Sequence, residues 1–208
     1  MNKPNYDKLM QEIIGGLTDK PALFLHSCCA PCSTKCLEDL YPYFNITVVY
    51  YNPNIDTEKE YLLRLAEQKR YIKEVYGDEI KIIDYGHRKE DFDNIAKGNE
   101  NLPEGGARCF DCYRLRLNKA AKECKKGDYF ATTLTVSPLK NAGKINEIGF
   151  DLAKTYGVNY LPTDFKKREG YKRSVVLAAE HGLYRQNYCG CSFSKKNGAV
   201  LNDLHISC

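Results

Sequence analysis

The chain has no apolar run long enough to cross a membrane. The longest, Ile46–Tyr51, holds six residues, far short of the ~20 a spanning helix needs. The N-terminal stretch MNKPNYDKLMQEIIGGL lacks the apolar segment of about 7–15 residues that a secretory signal carries. The chain therefore reads as cytoplasmic, with no membrane partner. Internal repeats, low-complexity tracts and Pro/Gly/Ser linkers are also missing, which leaves a single domain over residues 1–208. An excess of one charge is missing from most of its length. Residues 1–163 carry 23 basic and 23 acidic side chains, and the net +4 arises entirely from residues 164–208, with 8 basic against 4 acidic. A composition of 43% hydrophobic and 28% charged residues excludes disorder for most of the chain.

What the chain does have is cysteine: 10 in 208 residues. That is below the roughly 8–10% of a small disulfide scaffold, in a chain long enough to bury a core without covalent staples. In a reducing compartment structural disulfides are disfavoured, and clustered cysteines point to metal or redox chemistry.

Apolar spacing predicts helices over residues 5–17, Ser33–Tyr43, 57–76, Lys89–Lys97, Asp111–Lys125, 142–156 (closed by Gly157) and 171–181. Short β-branched or aromatic runs predict strands at Ala22–His26, Ile46–Tyr51, Ile80–Tyr85, Tyr129–Leu134 and Asn159–Leu161. Residues 98–106 read as a polar loop. Strands alternating with helices imply an α/β fold: a parallel sheet of about five strands, helices on both faces, and a short C-terminal helical and loop extension. The basic segment 164–208 is expected to pack on the same domain. In such sheets ligands bind beyond the carboxyl ends of the strands, where Cys28, Cys29 and Cys32 follow the first strand.

Three cysteine groups stand out: Cys28-Cys29-Ala30-Pro31-Cys32, Cys109-Phe110-Asp111-Cys112 and Cys189-Gly190-Cys191. The first two are placed at helix N-termini, where the partial positive charge favours the thiolate that binds metal, and Arg108 adds a cation beside the second. The separation of the two Cys-x-x-Cys pairs is far wider than the ~15–20 residues of a zinc ribbon, so spacing alone admits zinc or an iron–sulfur cluster. The adjacent Cys28-Cys29 offers more thiols than one zinc uses, which favours a cluster. Cys29-Ala-Pro-Cys32 also fits a thioredoxin-like redox pair, a reading that leaves the other two groups unexplained. Cys189 and Cys191 fit metal ligands, a cycling disulfide, or a tight surface turn at Gly190. Cys36, Cys124 and Cys208 read as buried or incidental thiols, and His26 as a core or supporting histidine. Lys166, Lys167, Arg168, Lys172 and Arg173 form the densest basic cluster, suited to a polyanion.

The motifs HSCCAPC (26–32), RCFDCYRLRL (108–117), TTLTVSP (132–138), FKKREGYKRS (165–174) and YRQNYCGCSFS (184–194), in this order, resemble the QueH family of epoxyqueuosine reductases. The resemblance implies a cobalamin-independent reductase that removes the epoxide oxygen of epoxyqueuosine at the tRNA wobble position. It implies a 4Fe-4S cluster held by Cys28, Cys29, Cys109 and Cys112, with room for an additional mononuclear iron. Cys189 and Cys191 then become the redox pair or ligands of that iron, Asp111 a metal contact or proton donor, and Cys32 is left without a fixed role. The partner is tRNA carrying epoxyqueuosine, held by the basic cluster, with Tyr171 or Tyr188 stacking on a base; the electron donor stays unknown. The fold also resembles the nucleotide α-hydrolase (Rossmann-like) group. Ser27–Cys32 lacks that group's phosphate-loop glycines, so no ATP use is expected. The alternatives are a zinc-stabilised RNA-binding protein and a cytosolic thiol–disulfide oxidoreductase.

Overall fold

A computed structural model describes residues 4–195. The order of elements is α1 (Tyr6–Gly15), β1 (Ala22–His26), α2 (Ala30–Leu40), β2 (Asn45–Tyr50), α3 (Glu58–Tyr76), β3 (Lys81–Asp84), α4 (Lys89–Ala96), α5 (Ala107–Glu123), β4 (Tyr129–Thr132), a 3₁₀ turn (Thr133–Val136), α6 (Ala142–Tyr156), β5 (Asn159–Tyr160) and α7 (Gly170–Glu180). The five strands form one parallel sheet in the order β3-β2-β1-β4-β5. Cys208 and the rest of residues 196–208 lie outside the described residues. Among the described residues no helix is long and apolar enough to cross a membrane.

Alternation along the strands sorts the core into two layers, because successive side chains point to opposite faces. Leu23, Leu25, Ile46, Val48 and Ala131 face a layer that includes Met10, Leu37, Leu40, Ile72 and Ala178, drawn from α1, α2, α3 and α7. Phe24, Val49 and Phe130 face Leu117, Ala120, Ile145 and Ile148 of α5 and α6. The helix starts follow local chemistry. Asn5, Thr57 and Asn141 cap α1, α3 and α6 by accepting the N–H of Lys8, Glu60 and Lys144 at 3.1, 3.3 and 3.0 Å. Gly157 closes α6 in the left-handed conformation.

Several boundaries differ from expectation. Helix α2 begins at Ala30, not Ser33, since Pro31 suits a first turn. It ends at Leu40, with Tyr41 still in helical geometry, because Pro42 has no N–H to continue the ladder. Helix α5 begins at Ala107, not Asp111, so Cys109 and Cys112 lie inside it. The fourth strand stops at Thr132, whose hydroxyl accepts the Leu134 N–H at 3.2 Å and turns the chain into the 3₁₀ turn.

Candidate functional site

Neighbouring strands β1 and β4 send their crossovers in opposite directions, which opens a crevice beyond their carboxyl ends. The segment leaving β1 carries Cys28, Cys29 and Cys32, and the turn leaving β4 carries Thr133. A buried chain of hydrogen bonds fixes the first segment. Ser27 Oγ donates to Gln68 Oε1 (2.7 Å), Gln68 Nε2 to Ser33 Oγ (2.9 Å), and Asn52 Nδ2 to the Ser27 carbonyl (2.9 Å). The Cys28 N–H donates to Thr133 Oγ1 at 3.3 Å, and that hydroxyl lies 3.5 Å from Cys28 Sγ. The sulfurs of Cys28, Cys29 and Cys32 thereby lie within 4.8 Å of one another, a grouping that can hold a metal ion. Cys32 is thus a full member of the first group.

Negative charge collects on one sulfur of this trio. Hydrogen bonds from Cys29 and Cys32, then the field of Arg116, hold Cys28 well below the usual thiol range. Cys29, donating to Cys28, is pushed up to about 12. Cys32 is pushed well up for the same reason.

The other two groups meet in a pocket of about 350 Å³ of space, open to solvent, whose lining includes Cys109, Cys112, Cys189, Cys191, Lys140 and Asn54. Here again one sulfur takes the charge. A hydrogen bond from Cys191, then the cations Lys140 and Arg116, hold Cys189 well below its ordinary value, while Cys191 is pushed up. Burial raises Cys112 to about 11. All nine described cysteines are free thiols.

Cys189 and Cys191 are brought to the pocket by long-range anchors, so Gly190 is no surface turn. It is buried, at φ 112°, and a Cβ there would lie 3.2 Å from both Arg64 Nη1 and Ile55 Cγ1. Its carbonyl accepts the Asp56 N–H at 2.9 Å. The Cys189 carbonyl accepts from Asn54 Nδ2 (3.3 Å) and Arg64 Nη1 (3.4 Å). Phe92 and Ala96 of α4 pack against Cys112 and Cys191.

Other expected residues sit differently. Arg108 lines the same pocket, but its donors go to the loop: its Nη1 donates to the carbonyls of Asn99, Glu100 and Leu102 at 2.8, 2.9 and 2.8 Å, and its guanidinium lies over Phe193. It clamps the 98–106 loop. Asp111 is exposed and does not line the pocket. His26 is buried and neutral, its pKa lowered to about 3 by burial and then by Arg116. Four of the five C-terminal basic residues are ion-paired: Lys166 with Asp164 (2.8 Å), Arg168 with Asp7 (3.1 Å), Lys172 with Glu169 (2.6 Å) and Arg173 with Glu38 (2.7 Å). Lys167 alone has no carboxylate partner among the described residues. Tyr188 is half-buried, with Arg64 and Lys195 over its ring, whereas Tyr171 is exposed.

Two site residues escaped sequence reasoning. Arg116 is one helical turn beyond Cys112, an i, i+4 pair that places both on one face of α5. Lys140, two residues past the TTLTVSP motif, is 9% exposed, lies 3.5 Å from Glu104 and lines the pocket with Cys189, whose charge holds its ammonium on.

A family model described as Epoxyqueuosine reductase QueH matches residues 23–197. The chain is similar to proteins named Epoxyqueuosine reductase QueH from three organisms. The Staphylococcus epidermidis protein is 42% identical over 202 residues, 92% of this chain and 85% of that one. The Streptococcus pyogenes protein is 39% identical, over 93% of this chain and 79% of that one. The Thermotoga maritima protein is 33% identical, over 83% of this chain and 89% of that one.

Proposed function

Because the chain belongs to the epoxyqueuosine reductase QueH family, we propose that it reduces epoxyqueuosine within tRNA, in the cytoplasm, at an iron–sulfur site in the crevice beyond β1 and β4. The observation that carries this reading is that the Cys28-Cys29-Cys32 trio and the pocket lined by Cys109, Cys112, Cys189 and Cys191 share one buried cation, Arg116, with Lys140 beside the second. The donors are thiols, buried or half-buried, and thiolates are the usual ligands of such clusters. Cys28 and Cys29, with Cys109 and Cys112, would hold a 4Fe-4S cluster, and Cys32 is close enough to replace or assist one of them. When bound, the cluster supplies electrons one at a time.

The net conversion breaks both C–O bonds of the epoxide and forms an alkene. Two electrons and two protons enter, and water leaves. Lys140 holds a proton at Nζ beside Cys189, in position to donate to the departing oxygen. Cys189 and Cys191 take one of two roles. As a dithiol they give two electrons and two protons and close to a disulfide, reopened by an external reductant; otherwise they ligate an additional iron. Asp111, exposed on α5, would serve as a metal contact or a proton donor. The Ser27–Cys32 segment has no glycine to cradle phosphate, and the reaction runs without ATP or cobalamin. On the tRNA side, Lys167 reaches phosphate directly. Lys166, Arg168, Lys172 and Arg173 do so by exchanging their carboxylate partners, and Tyr171, exposed with Arg185 over its ring, offers a surface for a base to stack on.

The test is anaerobic reconstitution with iron and sulfide, then turnover of epoxyqueuosine-containing tRNA with a low-potential reductant. Brown, sulfide-labile absorbance and queuosine product are expected. A fully loaded protein that yields no queuosine, or a colourless one that binds a single zinc, overturns the reading.

A further inference from the structure

Three arginines are buried near the cysteines, at 1% (Arg116), 2% (Arg64) and 3% (Arg108) exposure. Two are accounted for by their partners. Arg64 pairs with the Glu60 carboxylate at 2.8 Å, and Arg108 is taken up by three loop carbonyls. Arg116 is different. Its Nε donates to His26 Nε2 at 3.2 Å and its Nη2 to Asn52 Oδ1 at 2.6 Å, while its Nη1 has no protein acceptor. No carboxylate lies within ion-pair distance of it among the described residues. A guanidinium is always charged, and leaving such a charge buried and unbalanced is costly. The groups that face it electrostatically are Cys112, Cys189 and Cys28, one from each cysteine group.

Its holders are suited to leave the charge undiminished. His26 accepts the Arg116 Nε–H at Nε2, so its own proton sits on Nδ1 and donates to Thr132 Oγ1 at 2.9 Å. Asn52 accepts with a neutral amide oxygen and is itself fixed by donating to the Ser27 carbonyl. Both orient the guanidinium without cancelling its charge.

We propose that Arg116 is the fixed counter-cation of the cysteine site, oriented by neutral His26 and Asn52, and that it raises the electron affinity of the cluster those cysteines hold. The inference rests on the iron–sulfur reading above. An added electron makes a thiolate-bound cluster more negative, and a nearby buried cation favours that state. Arg116 acts through the thiolates and is a positioning residue, not a catalytic one.

The test is the midpoint potential of the reconstituted full chain, measured by spectroscopically monitored redox titration alongside iron and sulfide content. Three variants are compared with wild type: Arg116→Met removes the cation, Arg116→Lys keeps a charge without the planar fork, and Asn52→Asp sets a carboxylate on Nη2 with almost no change of shape. Arg116→Met and Asn52→Asp are expected to disfavour the reduced state at least tenfold, about 59 mV for a one-electron couple, with Arg116→Lys closer to wild type. Should Arg116→Met not fold, Asn52→Asp carries the comparison. A loaded Asn52→Asp protein at the wild-type potential overturns the inference and leaves the cluster reading standing. A wild-type chain that takes up no iron and sulfide overturns both.

Discussion

Replacing Asn146 by alanine should cost more stability than any other single amide in the fold. Asn146 is fully buried on α6 and makes four side-chain hydrogen bonds. Its Nδ2 donates to the carbonyls of Ala142 (2.7 Å) and Thr163 (2.9 Å), and its Oδ1 accepts from Tyr160 Oη (3.1 Å) and the Thr163 N–H (3.0 Å). The Ala142 carbonyl sits in a helix and keeps backbone partners. The Thr163 N–H, the Thr163 carbonyl and the Tyr160 hydroxyl are left without any. Each orphaned buried group costs about 1–3 kcal/mol. These three share one residue and relax together, so about 3–5 kcal/mol is expected, a large part of the ~5–15 kcal/mol of a typical domain. At about 2–4 °C per kcal/mol for a chain of this size, melting should fall by roughly 6–20 °C. Urea denaturation of the full chain measures the loss. The control is Thr135→Val, which removes only the 2.8 Å contact to Thr163 Oγ1 and should cost about 1 kcal/mol. If Asn146→Ala loses less than Thr135→Val, the amide is not the hub its contacts describe, and the reasoning fails.

Gly170→Ala would drive a Cβ into the Phe165 carbonyl oxygen, so α7 must shift, at a cost of about 1–3 kcal/mol or more. Gly15→Ala, with nothing within 4 Å, should instead stabilise by about 0.4–1 kcal/mol in the same denaturation assay. Glu38, held below the usual carboxylate value mainly by Arg173 and then Lys35, contributes stability present above pH 4.5 and lost as the pH falls through its folded value. The gap between wild type and Glu38→Gln should therefore close in acid; this pair is about one-third exposed, so the gap should not exceed ~1 kcal/mol at neutral pH. Burial pushes the Cys36 thiol well up and the Cys124 thiol to about 12. Both should resist iodoacetamide in the native protein at pH 8 by mass spectrometry, and early labelling of either would refute their inert character.

The fold was legible wherever local chemistry decided it. Ala22–His26 has the expected bounds, as does the helix over 142–156, because an apolar run and a cap-to-glycine frame need no distant partner. Boundaries slipped where a single residue could serve two geometries, as Pro31 and Thr132 do. In the site, the three cysteine groups were visible as motifs, but the alignment of charge was not. Arg108, adjacent to Cys109 in sequence, commits its donors to a loop, whereas Arg116, about two turns further along α5, keeps its charge for the sulfurs. Helical phase, not proximity in sequence, decides which of them matters. The C-terminal basic cluster misled for a related reason: Arg168 and Arg173 find Asp7 and Glu38 from the opposite end of the chain, pairings no local pattern could announce.

The strand order β3-β2-β1-β4-β5 also sets a schedule. The central strand is the first one synthesised, and the sheet grows outward from it on both sides. The half built from β1, β2 and β3 is complete once Asp84 has left the ribosome, before α5 exists. Chains emerge N-terminal end first at about 5–20 residues per second, so the trio Cys28, Cys29 and Cys32 waits roughly 4–15 seconds for Cys109 and Cys112. During that interval the three thiols have been synthesised, but Thr133, which fixes Cys28, and α5 have not. Rare codons between the third strand and α5 would lengthen this interval, and metal loaded early would meet a half-built site of three sulfurs.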